Sequence, residues 1–487
     1  MLAAFYGWNI LVLAILIHYL FKFLPLKKFL LVFFVIYTTS SFAQNAEKQF
    51  NDSFKQLTAD PVFQHATISL YVINTTTGKP VTEANTEIGV APASCQKVIT
   101  ATTAFSLLGH DYTYKTTLGY TGNIVNGVLN GNLILKGSGD PTLGSWRYDQ
   151  TTEDNIIASF KNAVSQAGIH EITGHVFADE SLWDDEATPN GWVWQDIGNY
   201  YGAGARALNW RENQYDLYLR SGKNIGDPVE IAGTKPAFVT GLHLKSKVIS
   251  AAKGSGDNNY IYLPLDDQYG YVRGTTPINE NHFMISGAMP HPAVQLALTL
   301  EAAIKNEPIE KIAAAYPADY NPGMAKVFYT YTSPVLDSII FHFLRRSINL
   351  YGEALIKTLA YQFTQTGTTQ KGVSVIKDFW KDKGIEPYAI NIVDGSGLSP
   401  DNRVTTKALV TVMEFARKQS WFPSFYDALP TISGFKMKSG SINGVISYTG
   451  FLKGKGNNQY TFSFVINNYD GNGNEVREKM WKLLGIL

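Results

Sequence analysis

The chain has 487 residues, 41 basic and 41 acidic side chains, a formal net charge of zero and 45% apolar residues. This length exceeds one ordinary hydrophobic core and indicates two or three domains, and the composition excludes a largely disordered chain. The interspersed charges offer no basic stripe for nucleic acid, and the single cysteine, Cys95, excludes an internal disulfide and a cysteine metal cluster.

The N-terminal 43 residues are hydrophobic and contain no acidic side chain. Two lysines at 27–28, the apolar run Phe29–Tyr37 and the small residues in Ser41-Phe42-Ala43 predict a signal peptide that is cleaved before Gln44. The sequence therefore predicts an exported, periplasmic protein.

A second apolar run, Leu2–Leu24, precedes this signal. It is long enough to span a membrane and would then anchor the protein. The alternative is that translation begins near Leu26 and that the upstream residues are a spurious extension. We favour the alternative, because a complete signal peptide after a membrane helix is redundant.

Further along the chain, the alternating residues Ala66–Asn74 predict a strand. The segment Pro92–Gly109 predicts a helix, because it has proline near its start, apolar residues at helical spacing and glycine at its end. A β-rich region with few helix-like stretches follows, from about 112 to 288.

Helical patterns return in the C-terminal part, and strands and a last helix follow them. The predicted helices are Ala293–Lys305, Pro334–Ser347, Glu353–Gln365, Thr405–Lys418 and Glu475–Leu484, and the predicted strands are Gly434–Ser439, Ser447–Leu452 and Tyr460–Asn467. Strands and helices from both ends can complete one sheet. We therefore predict an α/β domain made of residues 44–111 and 289–487, interrupted by a β-rich insertion over 112–288.

The motif Ser94-Cys95-Gln96-Lys97 lies at the start of the predicted helix. Serine and lysine three residues apart lie on the same helix face, where the lysine can act as the base for a serine nucleophile. Lys97 must then be neutral, which requires burial or a second cation nearby. On its own the motif also fits an N-cap serine followed by a surface lysine.

Two later motifs favour the catalytic interpretation. Ser347-Ile348-Asn349 lies between two predicted helices, and Lys438-Ser439-Gly440-Ser441 lies among the C-terminal strands. The order Ser-x-x-Lys, Ser-x-Asn and Lys-Ser/Thr-Gly is that of penicillin-binding proteins and β-lactamases. It predicts a serine acyltransferase.

Each residue then has a predicted role in catalysis. Ser94 attacks a carbonyl carbon and Lys97 takes its proton, while Ser347 relays a proton to the leaving amine. Asn349 hydrogen-bonds Lys97 and the substrate backbone. Lys438 is a second cation that keeps Lys97 neutral and attracts a substrate carboxylate.

The Lys-Ser-Gly-Ser segment also has predicted binding roles. The hydroxyl of Ser439 binds the substrate carboxylate, and Gly440 and Ser441 contact the substrate. The backbone N–H groups of Ser94 and Ser441 form the oxyanion hole, in which each donor typically contributes ~3–4 kcal/mol. No metal or organic cofactor is predicted, because the nine histidines show no paired ligand spacing.

Several stretches together resemble one family, the low-molecular-mass class C penicillin-binding proteins, which are D-alanyl-D-alanine carboxypeptidase/endopeptidases. The resemblance covers roughly residues 60–470. The segments that carry it are Pro92–Lys97 (PASCQK), Gly131–Leu143 (GNLILKGSGDPTL), Asp179-Glu180-Ser181, Gly191–Trp194 (GWVW), Ser347–Ala354 (SINLYGEA), Asp394–Asn402 (DGSGLSPDN) and Lys438–Val445 (KSGSINGV). Some positions depart from the family pattern: Cys95 and Ser439 replace threonine, Ile348 replaces aspartate, and the stretch Gly204–Ala207 lacks the usual proline.

The resemblance implies a penicillin-binding/β-lactamase-like transpeptidase fold with the insertion between the first two motifs. It implies peptidoglycan stem peptides as substrates, β-lactams as inhibitors, and hydrolysis of D-Ala-D-Ala termini or of D-Ala cross-links to diaminopimelate. It also suggests that Asp179 contacts the diaminopimelate amine, although a turn aspartate explains this residue equally well. Ser396 and Ser399 are either substrate contacts or parts of a loop that walls the cleft, and we favour the wall.

Two alternatives stay open on the sequence. One is a β-lactamase or esterase of the same fold, and the other is a wall-binding protein without activity. The second is disfavoured, because a binding protein needs no lysine beside its serine. The oligomeric state is also left open.

Overall fold

The computed structural model describes residues 46–264, 268–317, 324–454 and 458–487. The predicted signal peptide and the upstream apolar run lie outside these ranges. Within the described ranges, no helix is both long and apolar enough to cross a membrane.

The structure is built from alternating helical and strand segments. The helices are α1 (46–58), α2 (Lys97–Leu108), α3 (Glu153–Gln166), α4 (Trp194–Ile197), α5 (Pro292–Lys305), α6 (Ile309–Ala315), α7 (Leu336–Arg346), α8 (Asn349–Thr364), α9 (Thr369–Asp382), α10 (Thr406–Arg417), α11 (Phe422–Ala428) and α12 (Gly473–Leu484). The strands are β1 (Thr67–Asn74), β2 (Pro80–Ala84), β3 (Lys115–Val125), β4 (Val128–Lys136), β5 (Glu171–Ile172), β6 (Val176–Asp179), β7 (Gln214–Arg220), β8 (Glu230–Lys235), β9 (Leu244–Ala251), β10 (Tyr260–Tyr262), β11 (Gly270–Pro277), β12 (Phe283–Ala288), β13 (Lys326–Thr332), β14 (Ile390–Asn391), β15 (Arg403–Val404), β16 (Thr431–Ile432), β17 (Phe435–Ile442), β18 (Val445–Lys453) and β19 (Gln459–Asn467).

The first layer of the fold is a six-stranded antiparallel sheet with the order β16-β17-β18-β19-β1-β2. Helices α1 and α12 pack on one face through Phe50, Phe54 and Met480, and α10 covers the other face, where Ser69 and Thr406 share a hydrogen bond. Strands β18 and β19 are buried along nearly their whole length because both faces are covered. The prediction that the two ends of the chain complete one sheet is confirmed.

The middle of the chain forms a second hydrophobic core around a five-stranded sheet, β13-β3-β4-β5 with β6 also paired to β4, and two three-stranded sheets, β12-β7-β8 and β10-β11-β9. Helix α3 lies in this region and buries Ile156 and Phe160 at helical spacing. Helix α5 and strand β13, which follow residue 289, pack into the same core. These contacts extend the second core beyond residue 288 to about Thr332, and the predicted insertion over 112–288 stays a prediction.

Candidate active site

Ser94 lies where the chain enters helix α2. The 3-10 turn Ala93–Gln96 precedes α2, and Ala93 has a left-handed backbone with φ 45°. Lys97 is the first residue of α2 and is fully buried. The predicted single helix is therefore a tight turn followed by a helix, and Ser94 lies on the turn.

The side chain of Lys97 joins the first two motifs. Its Nζ lies 2.8 Å from Ser94 Oγ, 2.7 Å from Asn349 Oδ1 and 2.7 Å from the backbone oxygen of Ser396. A neutral amine has two protons and one lone pair. Because Asn349 Oδ1 and the Ser396 carbonyl can only accept hydrogen bonds, they use the two protons, and the lone pair remains for the Ser94 hydroxyl.

The surroundings of Lys97 favour this neutral form. Burial and, secondly, the charge of Lys438 hold the pKa of Lys97 well below its usual range, while Asp394 and Glu353 act in the opposite direction. The Phe343 ring lies 5.9 Å from Nζ and adds to the apolar surroundings.

Lys438, Ser439, Gly440 and Ser441 lie on strand β17, which packs against the 3-10 turn. Lys438 is buried, its Nζ donates to the Ser439 carbonyl over 2.7 Å, and burial lowers the pKa of Lys438 to about 8. A Cβ atom at Gly440 would lie 2.8 Å from Ser94 N and 2.7 Å from Pro92 O. Glycine therefore permits the strand to lie directly against the nucleophile.

The second motif spans a break between two helices. Helix α7 ends at Arg346, the C-cap residue Ser347 has a left-handed backbone with φ 58°, and α8 begins at Asn349. The Asn349 amide donates from Nδ2 to the Tyr201 carbonyl over 2.8 Å. This contact turns Asn349 Oδ1 toward Lys97.

The loop after β14 forms a buried network around Asp394. Five groups donate to its carboxylate at 2.7–3.0 Å: Gln96 Nε2, Gly397 N, Asn402 Nδ2, Trp192 Nε1 and Ser399 N. The network fixes the loop and directs the Ser396 carbonyl at Lys97. Ser396 is fully buried, which fits the favoured wall role.

Two cavities meet at Ser94, Ser347 and Ser441. The larger, of about 900 Å³, is further lined by Arg147, Val193, Gln195, Asp196, Tyr200, Tyr201, Gln214, Tyr260, Arg346, Ile348, Asn349, Gly397, Leu398, Pro400, Ile442 and Asn443. The smaller, of about 390 Å³, is further lined by Ile432, Ser439, Gly440, Tyr448, Arg477 and Trp481. Ser94 is thus reachable from two sides.

Comparison with known proteins agrees with this geometry. The model of the D-Ala-D-Ala carboxypeptidase 3 (S13) family matches residues 50–485. The chain belongs to this family. It is an S13 serine D-Ala-D-Ala carboxypeptidase, a low-molecular-mass penicillin-binding protein by class, and the predicted family is confirmed.

Individual S13 relatives cover most of the chain. The D-alanyl-D-alanine carboxypeptidase of Actinomadura sp. (strain R39) is 23% identical over 85% of this chain and 80% of its own length. The D-alanyl-D-alanine carboxypeptidase DacB of Haemophilus influenzae is 25% identical over 80% of this chain and 82% of its own length.

Solved structures confirm the predicted fold class. The crystal structure of penicillin binding protein 4 (dacB) from H. influenzae superposes with a TM-score of 0.69 at 22% identity, covering 86% of this chain and 95% of that one. That relative has also been solved in complex with a β-lactam, and this structure has a TM-score of 0.65.

The structure does not bring Asp179 to the site of this S13 peptidase. Asp179 ends strand β6, lines neither cavity, and pairs with Lys136 Nζ at 2.9 Å and Ser181 N at 2.9 Å. These contacts hold the pKa of its carboxyl below the usual range against the effect of burial. Its contact with a diaminopimelate amine stays a prediction.

Sequence reasoning missed three groups of this S13 site. Glu353 is buried, accepts from Gly395 N over 3.0 Å, and has a pKa raised to about 8 by burial and by Asp394. Arg346 and Arg477 each line one of the two cavities. Glu353 lies inside the recognised SINLYGEA stretch, whereas the arginines lie outside every motif, so no sequence signal marked them.

Proposed function

We propose that this protein hydrolyses peptidoglycan peptides at D-Ala-D-Ala termini, at D-Ala cross-links to diaminopimelate, or at both, through an acyl-enzyme on Ser94. The observation that carries the proposal is the arrangement around Lys97. A buried lysine with two carbonyl acceptors and one hydroxyl has its lone pair directed at that hydroxyl.

Acylation begins when Ser94 Oγ attacks the carbonyl carbon of the penultimate D-alanine. Lys97 Nζ takes the hydroxyl proton as the O–C bond forms. The backbone N–H groups of Ser94 and Ser441 stabilise the developing oxyanion, and both residues border the two cavities.

The tetrahedral intermediate then breaks its C–N bond. The leaving amine receives a proton through Ser347, which borders both cavities, and the proton is drawn from Lys97. An ester on Ser94 remains. Water attacks this ester, the carbonyl–Oγ bond breaks, Ser94 regains a proton, and the shortened peptide leaves with a new carboxylate.

The substrate class follows from the family and from the predicted export. Relatives named D-alanyl-D-alanine carboxypeptidases align over most of the chain, and peptidoglycan lies outside the cytoplasmic membrane, where the predicted signal peptide would deliver the protein. Stem peptides and cross-links are large, which suits a cavity of about 900 Å³. β-Lactams acylate the same serine under this proposal.

The first test is intact-mass spectrometry after incubation with benzylpenicillin, followed by peptide mapping. We expect one long-lived adduct on Ser94 and none in Ser94→Ala, whose thermal unfolding should match that of the wild type. Rapid release of hydrolysed penicillin would instead indicate a β-lactamase. Intact penicillin and no adduct would contradict the acyl-enzyme.

A second test separates the two peptide activities. The wild type is incubated with a stem peptide ending in D-Ala-D-Ala and, separately, with a purified cross-linked dimer of stem peptides. We expect release of D-alanine from the first, release of monomers from the second, or both, and neither product with Ser94→Ala. Binding of these peptides without turnover by the wild type would favour a wall-binding protein.

A further inference from the structure

The smaller cavity beside Ser94 has a polar wall on strand β17. Residues two apart on a strand project to the same face, so the hydroxyls of Ser439 and Ser441 lie on one side of β17. Both residues line this cavity together with Ser94 and Ser347. The wall is therefore next to the position of the leaving amine.

A guanidinium from helix α12 completes this wall. Arg477 lines the smaller cavity and donates from Nη2 to Ser441 Oγ over 3.2 Å and from Nη1 to Asn474 Oδ1 over 3.1 Å. Arg477 makes no ion pair with any carboxylate in the described part of the chain. Its positive charge is thus uncompensated where a substrate would lie.

The buried lysines cannot replace Arg477 in contact with a substrate. Lys438 is 1% exposed, its Nζ donates to the Ser439 carbonyl, and it lines neither cavity. Lys97 is fully buried and is bound to its three partners. Lys438 therefore acts on the charge of Lys97, whereas Arg477 can touch a ligand.

We propose that Arg477 binds the carboxylate of the departing D-residue, in a cradle that it forms with the hydroxyls of Ser439 and Ser441. This inference rests on the proposed D,D-peptidase function and adds the residue that selects the leaving group. The guanidinium fork suits a carboxylate, because two parallel N–H groups can meet its two oxygens.

The sizes of the cavities assign the two halves of the substrate. When a D-Ala-D-Ala terminus is cleaved, the departing D-alanine is a single small residue and fits the cavity of about 390 Å³, whereas the acyl half carries the rest of the stem peptide and needs the cavity of about 900 Å³. Ile432 and Trp481 give the smaller cavity an apolar side for the D-alanine methyl group.

The test compares two leaving groups on one acyl donor. The substrates are a diacetyl-L-Lys-D-Ala-D-Ala peptide and the same peptide with a C-terminal amide, which lacks the carboxylate. We expect Arg477→Gln to lower kcat/KM for the free acid about 10- to 100-fold, as the loss of a charge-assisted hydrogen bond predicts. For the amide, kcat/KM should change about threefold at most. For the free acid, the kcat/KM of Arg477→Lys should lie between the values of the wild type and Arg477→Gln.

Two matched variants complete the design. Lys482→Gln removes one positive charge from the exposed face of the same helix and should leave kcat/KM unchanged for both substrates. Arg346→Gln removes a cation from the larger cavity and should affect both substrates alike. Thermal unfolding of each variant shows that it is folded before rates are compared.

The outcomes separate this inference from the proposed function. Equal losses for acid and amide in Arg477→Gln, or no loss for either, would overturn the carboxylate cradle. A loss of acid preference in Arg346→Gln instead would place the carboxylate in the larger cavity and also overturn it. If the wild type hydrolyses neither peptide and forms no penicillin adduct, the proposed function itself fails.

Discussion

The two buried lysines beside Ser94 must have opposite protonation states. Lys97 must be neutral to accept the Ser94 proton, and burial together with Lys438 lowers its pKa so that the neutral form exists at moderate pH. Lys438 must stay charged to exert this effect, and burial lowers its pKa to about 8. We therefore expect the site to be active while Lys97 is neutral and Lys438 is charged.

The first prediction concerns the pH profile of acylation. The rate should rise as Lys97 loses its proton and fall again near pH 8 as Lys438 loses its own, because a neutral Lys438 no longer attracts the penicillin carboxylate. Lys438→Arg should move the alkaline limb upward by more than about one pH unit, because a guanidinium stays protonated. Stopped-flow acylation by benzylpenicillin from pH 5 to 10 measures both limbs, and an unmoved alkaline limb in a folded variant would refute the role of Lys438.

Glu353 gives a second prediction, on stability. Its pKa is raised to about 8, from 4.5 for a free glutamate, by burial and by Asp394. Between these values the folded state holds a proton that the unfolded state has lost, so the free energy of unfolding falls as pH rises. Glu353→Gln removes this titration and imitates the protonated acid.

The measurement is the melting temperature of both proteins between about pH 5 and 8. We expect the wild type to lose stability relative to Glu353→Gln as pH rises, because only the wild type must keep a buried acid protonated. A constant difference between the two curves would show that Glu353 is ionised in the folded protein.

At the scale of elements, the contact between strand β17 and the 3-10 turn places the nucleophile. At Gly440 an added Cβ atom would lie closest to Ser447 Oγ, and it would lie 2.7 Å from Pro92 O and 2.8 Å from Ser94 N. The methyl group of Gly440→Ala must therefore move the turn or the strand. A displacement of about 1 Å at a reacting centre can lower a rate about 100-fold.

The third prediction is that Gly440→Ala lowers the rate of penicillin acylation about 100-fold while the protein stays folded. Gly485→Ala is the matched control, because an added Cβ there lies 3.4 Å from Trp481 O, which is an ordinary contact. Similar acylation rates in the two variants would show that the strand and the turn adapt freely.

Sequence patterns predicted the elements whose periodicity is strong. The strand predicted at Ala66–Asn74 is β1, and the helix predicted at Thr405–Lys418 is α10, each within one residue at each end. The pattern failed where local geometry decides the structure. The segment Pro92–Gly109 has the pattern of one helix, but Ala93 adopts φ 45° in a turn that lies directly against Gly397 and Gly440. Periodicity along the chain does not record such contacts.

At the scale of the whole molecule, residues of the predicted insertion support the candidate active site. Trp192 Nε1 donates to Asp394 over 3.0 Å, and the Tyr201 carbonyl orients Asn349 over 2.8 Å. The ordered motifs predicted which side chains meet, whereas contacts between residues 148 to 202 positions apart in the chain leave no local pattern. For that reason the sequence predicted roles for Ser94 and Lys97 but not the contacts of Trp192 and Tyr201 that position the residues around them.

Lys357 lies on helix α8 and joins it to the segment after β6 in the predicted insertion. Its side chain is 1% exposed, and its Nζ donates to Asp184 Oδ1 over 2.7 Å and to the Glu186 carbonyl over 2.6 Å. Asp184 N in turn donates to the Gly367 carbonyl. These contacts fix the segment after β6 against the helix that begins at Asn349.

The fourth prediction is that Lys357→Met lowers the free energy of unfolding by about 2–4 kcal/mol, because it keeps the apolar stem but leaves the Asp184 carboxylate and the Glu186 carbonyl without a donor. Asp184→Asn tests the pair from the other side, and chemical unfolding of both single variants and the double variant gives the coupling. The double variant should lose clearly less than the sum of the single losses, since each change removes the same ion pair. Additive losses would mean that the Lys357–Asp184 ion pair contributes nothing to stability, and the loss in Lys357→Met would then come from the Glu186 contact.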